Sequence, residues 1–291
     1  MTNNQKQDLI TKQALTNAEQ ADIEQLADTC NSYENLHMRL SWLRTRPPAH
    51  ETSDFLYYQD GVLIGYLNIS SYGTKEKELI GMVHPDHRRQ GIFRALLTAA
   101  TEECLHRGGV KQIILICDHS SQSGLACVEA IGAHHAFSEH EMVLGTFQQK
   151  RSSDERLHIR RAGANDAEVL TSIMATDFSD LEEAQHYITD FLPRPDQPFY
   201  LALLDQEPIG CLRLDETADS VGIYGFVVRP EYRGRGYGRQ LLEAVIRTLQ
   251  ATSQRPITLE VETNNTNAIG LYQFCGFQMR TTYDYYNLDI H

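Results

Sequence analysis

The stretch V-R-P-E-Y-R-G-R-G-Y-G-R-Q-L-L, Val228–Leu242, joins the end of an apolar strand to a glycine-rich turn and then to an amphipathic helix. The helix is read from Leu241, Leu242, Val245, Ile246 and Leu249, which recur at the spacing of one helical face. A helix start carries N–H groups with no intrahelical acceptor and the positive end of the helix dipole. Glycines at positions 234, 236 and 238 let that backbone approach a diphosphate with no Cβ in the way. Arg233, Arg235 and Arg239 add positive charge to the same turn. By itself such a turn also fits a tight connection that binds nothing, or a dinucleotide fingerprint. The dinucleotide reading fails on context. The helix is not the first crossover of a βαβ unit early in a doubly wound domain, and no ribose-binding acid is suitably placed. No Gly-Lys-Ser/Thr sequence marks a nucleoside triphosphate site.

Working outward, the chain repeats itself. D-G-V-L-I-G-Y-L-N-I from Asp60 matches D-Q-E-P-I-G-C-L-R-L from Asp205 at Asp, Ile, Gly and Leu, a shift of 145 residues. The same shift carries Val83-His84-Pro85 onto Val228-Arg229-Pro230, Arg88 onto Arg233, Gly91 onto Gly236, Arg94 onto Arg239, and Leu96-Leu97 onto Leu241-Leu242. Later the shift is 144, where Gly132 meets Gly276. One register held over so many positions reads as a duplicated domain. The polar stretch Gln148–Glu155 is the expected boundary, giving halves 1–150 and 155–291.

The second half reads as a strand at Leu157–Ala162 and helices capped by Asn165-Asp166 and by Asp180. Strands follow over 198–205 and 208–215, with a turn at Gln206-Glu207, and a longer strand at 221–230. The glycine-rich turn and its helix come next, then the strand Ile257–Glu262, a helix over Asn264–Cys275 ended by Gly276, and a strand-rich tail. The first half follows this order from Phe55 onward: strands at 55–59 and 62–70, a strand into Val83, a helix after Gly91, a strand at 112–118 and a helix near 125–130. Residues 5–45 read as two or three helices, with no strand before Asp54.

Composition narrows the class. The 291 residues suffice for two domains, and a 41% hydrophobic content is normal for a globular core. No apolar run reaches the roughly 20 residues of a membrane span, and no apolar signal core follows the polar start, so a cytoplasmic protein without membrane partners is expected. The six cysteines form no C-x-x-C pair, which favours free thiols over disulfides or zinc. His134, His135 and His140 lack an accompanying carboxylate or thiolate set, so no metal is expected. A net charge of −13 disfavours nucleic acid as a partner. It suits a cationic acceptor, or merely solubility.

The combination resembles the GNAT N-acetyltransferase family. Its phosphate-binding motif is Arg or Gln, two residues, Gly, one residue, then Gly or Ala. Arg233-Gly234-Arg235-Gly236-Tyr237-Gly238 fits it, after a strand ending V-x-P. The family's later motif, an Asn-rich turn and a helix ending L-Y-x-x-x-G-F, is present as Asn264–Phe277. The likeness covers nearly all of residues 157–290 and reaches 54–146 through the repeat. It implies an α/β (α+β) fold, with two GNAT-like domains that each have a mixed, mainly antiparallel sheet flanked by helices. It also implies acetyl-CoA as co-substrate, a small-molecule or peptide amine as acceptor, and a monomer or homodimer.

Site residues follow from the resemblance position by position. The backbone of Phe226, Val227 and Val228 should hold the pantetheine arm like an added strand. The amides of Arg233, Gly234, Arg235, Gly236, Tyr237 and Gly238 should cradle the diphosphate, and Asn267 should contact the coenzyme arm. Tyr272 should protonate the departing thiolate; the alternative, favoured without the motif, is a helix aromatic packed on Phe277. Many members place a glutamate in the strand before V-x-P. Here that stretch is Ile223-Tyr224-Gly225-Phe226, without a carboxylate. Glu262, with Glu260, alternates with apolar residues and is the candidate base acting through a water, or else part of a solvated strand face. In the first copy Phe93 stands where the motif wants Gly or Ala, and Val128 and Ser123 stand at the positions of Tyr272 and Asn267. That copy is expected to be catalytically degenerate. The alternative function is a non-catalytic CoA- or acyl-CoA-binding regulatory or scaffold protein.

Overall fold

The computed structural model describes residues 7–38, 40, 51–69, 75–147, 154–178 and 181–290. The chain divides into two compact units, residues 1–139 with 281–291, and residues 140–280. The repeated halves and the compact units are thus different divisions of the chain.

The first unit contains β1 (Gln7–Lys12), α1 (Asn17–Glu34), β2 (Asp54–Gln59), β3 (Val62–Ile69), β4 (Glu76–Val83), α2 (Ile92–Arg107), β5 (Gln112–Asp118), α3 (Gln122–Ala130) and the start of β6 (His134–Leu144). Its strands run in the order β1-β2-β3-β4-β5, antiparallel except for the parallel β4–β5 pair. Residues 283–289 of the last strand of the chain, β12 (Phe277–Asp289), then pair antiparallel with β5. One face buries α2 and α3 on Phe55, Leu67, Ile69, Leu79 and Ile113. The other buries α1 through Ile23, Leu26, Ala27 and Cys30 against Leu56, Leu63, Tyr66 and Met82. Thr16 and Glu19 form a reciprocal capping box that starts α1.

The second unit repeats this layout with β7 (Leu157–Arg161), α4 (Ala167–Met174), α5 (Leu181–Phe191), β8 (Phe199–Leu204), β9 (Glu207–Glu216), β10 (Val221–Val228), α6 (Tyr237–Thr252), β11 (Ile257–Glu262) and α7 (Thr266–Phe274). The order β11-β10-β9-β8-β7 is antiparallel except for β10–β11. Leu241, Leu242, Val245, Ile246 and Leu249 are all buried, so the periodic face of α6 is the core face. α4 and α5 cover the opposite face through Leu170, Ile173, Ile188 and Phe191.

Three expectations are corrected. A strand, β1, does precede Asp54, and the described part of 5–45 holds one helix, α1. The β8–β9 turn is Asp205-Gln206, both at positive φ, one residue earlier than expected. The supposed cap Asp180 and boundary residues 148–153 lie outside the described residues.

Candidate active site

The pairing of β10 with β11 is brief. Val221, Gly222 and Ile223 pair with Ile257, Thr258 and Leu259, and the two strands then part. On its other side β10 carries a bulge against β9 between Tyr224 and Val227. Gly225 sits in the bulge at φ 53°, a region where residues with a Cβ are strained. A Cβ there would also come within 3.0 Å of Tyr187 Oη and 3.1 Å of the Met174 methyl. The bulge and the parting open a wedge beyond Ile223.

At one end of the wedge the chain makes a short 3-10 turn, Pro230–Tyr232, and enters α6 through Gly234 (φ 74°) and Gly236 (φ 82°). A Cβ on either of these glycines would meet nothing within 4 Å, as is also true of Gly91 in the first unit. The first N–H groups of α6 have no intrahelical acceptor. Arg233 braces the loop by donating Nε to the Val228 carbonyl at 2.7 Å. Its guanidinium lies 3.5 Å from Asp177, with both side chains about half exposed. Arg239, by contrast, is tied to the buried Glu243 at 2.7 Å and is not free to serve the loop. The Tyr237 side chain is core, so only its amide is available.

Gly238 lies where three elements converge. A Cβ on it would be 3.4 Å from Val228, 3.5 Å from the Phe226 ring and 3.7 Å from Leu271. Behind it Tyr272 on α7 is buried, with its ring 6.2 Å from Phe226 and 6.0 Å from Phe277. It therefore packs on Phe277 as a core aromatic would, and also reaches the strand that forms the wedge. Burial, and then the Asp177 and Cys275 charges, push its phenol well above the ordinary value near 10. It is protonated throughout the neutral range.

The remaining expected residues are dispersed. Asn265, not Asn267, caps α7, accepting the Ala268 N–H at 3.1 Å. Asn267 is exposed, five residues before Tyr272 on α7. Glu262 is exposed at the end of β11. Val227 points its side chain into the opposite core beneath α4 and α5, leaving its backbone as its only candidate contribution. Asp177, whose carboxylate reaches Arg233 and bears on Tyr272, was not found from the sequence. It lies just past α4, 95 residues before Tyr272, and no local pattern marks it.

No group of three or more ligand-type residues able to hold a metal occurs among the described residues. All six cysteines are free. No described helix is long and apolar enough to cross a membrane.

The family model described as the Acetyltransferase (GNAT) family matches residues 15–132 and 167–277. A mycothiol acetyltransferase of Actinosynnema mirum is 26% identical over 281 residues, 88% of this chain and 89% of that protein. A peptidyl-lysine N-acetyltransferase of Salmonella typhimurium is 32% identical over 99 residues, 33% of this chain and 60% of its own. Among solved structures, a GCN5-related N-acetyltransferase from Sphaerobacter thermophilus has a TM-score of 0.77 at 20% identity, covering 97% of this chain and 96% of that one. A tandem GNAT protein from the clavulanic acid biosynthesis pathway has a TM-score of 0.69 at 16% identity, covering 98% and 99%. The chain belongs to the GNAT acetyltransferase family and carries that family's unit twice.

Proposed function

We propose that the second unit is an N-acetyltransferase that moves an acetyl group from acetyl-CoA to a primary amine by direct transfer. The observation that carries this is the wedge between β10 and β11, with the glycine loop at one end and Tyr272 beside it. The residues suit the coenzyme. The parted edge of β10 at Phe226–Val228 offers backbone groups to an extended arm. The amides of 233–238, at the start of α6, offer N–H groups to paired phosphates.

When bound, the coenzyme supplies an acyl carbon activated as a thioester. Tyr272 holds a proton on its phenol for the departing sulfur. Asn267, exposed near the start of α7, is read as a contact to the arm. With no carboxylate on Ile223–Phe226, removal of the amine proton falls to solvent water, relayed by Glu262. The first unit is read as catalytically inactive, and the cytoplasm as the setting.

The test is thiol release by the purified full chain with acetyl-CoA across a panel of polyamines, amino sugars, amino acids and lysine peptides. Turnover with at least one amine supports the reading. Coenzyme binding without turnover on the whole panel would favour the non-catalytic alternative.

A further inference from the structure

The first unit has the same parted strands, but its own chain fills the gap. β4 pairs with β5 only from Glu76–Gln112 to Leu79–Leu115. Past that point the C-terminal end of α1 is fastened to both strands. Cys30, 1% exposed, donates Sγ to the Val83 carbonyl at the end of β4, at 3.5 Å. The His37 N–H donates to Asp118 at the end of β5, at 3.1 Å, and the His37 carbonyl accepts from Tyr283 at 2.8 Å.

Between these fastenings lies the Glu34 carboxylate. It accepts from Ser121 Oγ at 2.9 Å, Ser123 Oγ at 2.8 Å, the Ser123 N–H at 3.2 Å and Arg88 at 3.3 Å. Arg88 is the repeat's counterpart of Arg233 and is braced in the same way, through Nε to the Val83 carbonyl at 3.1 Å. The Tyr33 ring covers it, with its centroid 5.2 Å from Cζ. The Arg88 and Glu34 side chains are only 20% and 16% exposed, against 49% and 61% for Arg233 and Asp177. A carboxylate of the chain thus sits on the motif arginine and on the first turn of α3, the counterpart of α7.

Two further differences close the cleft. β4 runs in unbroken register with β3 from Val83 to Leu79, without the bulge that β10 has. Large and small residues have also changed places. In the second unit Phe226 on the strand faces Gly238 on the helix; at the corresponding positions of the first, Gly81 faces Phe93. A Cβ on Gly81 would lie 2.9 Å from the Phe93 ring. The ring therefore lies over the strand just where α2 begins.

We propose that the first unit is closed to coenzyme by its own helix α1, with Glu34 as a built-in anion on Arg88, so that each chain takes up a single coenzyme, in the second unit. The number one rests on the coenzyme reading of the second unit; the closure of the first does not.

The test counts coenzyme on the full chain by equilibrium dialysis with radiolabelled acetyl-CoA and locates it by hydrogen–deuterium exchange. Gly234→Asp serves as the blocked second unit. It places a carboxylate in the loop where a Cβ meets nothing, at a φ that Asp tolerates better than most residues. The expected result is one coenzyme per wild-type chain and none per Gly234→Asp chain. Protection should fall on 233–238, with no change at 33–37 or 88–93. Two per wild-type chain, or protection at 88–93 in either protein, overturns the closure while leaving the second unit's reading intact. Zero on the wild type, with 88–93 unchanged, sinks the reading of the second unit and supports the closure.

Discussion

Tyr272 and Glu34 are two ionisable groups held in opposite states by their surroundings. Burial pushes the Tyr272 phenol, already protonated at neutral pH, further up, so its proposed contribution to transfer is a proton rather than a charge. Tyr272→Phe keeps the ring contacts with Phe226 and Phe277 and removes only the donor. Loss of a general acid costs on the order of 10²-fold or more in turnover, and coenzyme affinity should change little. Steady-state rates beside dialysis separate the two, and undiminished turnover would remove the proton-donor role. For Glu34, burial alone would raise the carboxyl. The hydrogen bonds from Ser123 and Ser121 and the Arg88 charge outweigh it, and the net shift is downward. A lowered folded value means stability that is present above the unfolded value and is lost as pH falls through the folded one. Glu34→Gln should therefore melt below the wild type at pH 7, and the gap should close as pH falls below about 4. Melting curves from pH 7 to 3 read this directly. A gap that stays constant across the range would mean that the carboxylate's charge is not what fastens α1.

At the scale of elements, the bulge in β10 separates an open unit from a closed one, and Gly225 is its point of strain. Gly225→Ala would place a Cβ at φ 53° against Tyr187 and Met174. About 1–2 kcal/mol of stability should be lost from the left-handed backbone alone. If β10 relaxes toward the straight register of β4, coenzyme affinity should fall as well. Chemical denaturation and dialysis on one preparation test both. Unaltered affinity would show that the wedge does not depend on the bulge. Much of this element layer was legible in sequence, because periodic faces such as Leu241–Leu249 and the glycine turn are local signals. β1 was missed because Q-D-L-I-T-K has adjacent rather than alternating apolar residues, and Leu9 and Ile10 remain 40% and 36% exposed on an edge strand. Glu34 was missed for another reason. A glutamate ending a helix reads as a solvated charge, and its partners lie 54 to 89 residues further along. Gly225, one of two glycines inside this apolar strand, was a hint of a bulge.

At the scale of the whole chain, the last strand completes the first unit. Residues 281–291 belong to the first compact unit, and residues 140–147 to the second. Seven consecutive residues, Tyr283–Asp289, pair with Asp118–Gln112 of β5. Tyr283, Tyr285 and Tyr286 are 3%, 1% and 9% exposed there, and Phe137 stacks on Tyr285 at 4.3 Å. Asp284 is buried between His119 at 2.7 Å and Ser138 at 2.6 Å. Truncating one large buried aromatic costs about 3–5 kcal/mol, so losing three approaches the 5–15 kcal/mol that holds a typical domain together. A chain ended at Arg280 should therefore lose the cooperative unfolding of its first unit while residues 155–280 stay folded. A fragment 1–150, which lacks the strand altogether, should not fold alone. Adding a peptide of residues 281–291 to that fragment should restore order at β5. Exchange of the Ile113–Cys117 amides is the readout. Protection there in the isolated 1–150 fragment, equal to that in the full chain, would show that β5 does not need the distant strand.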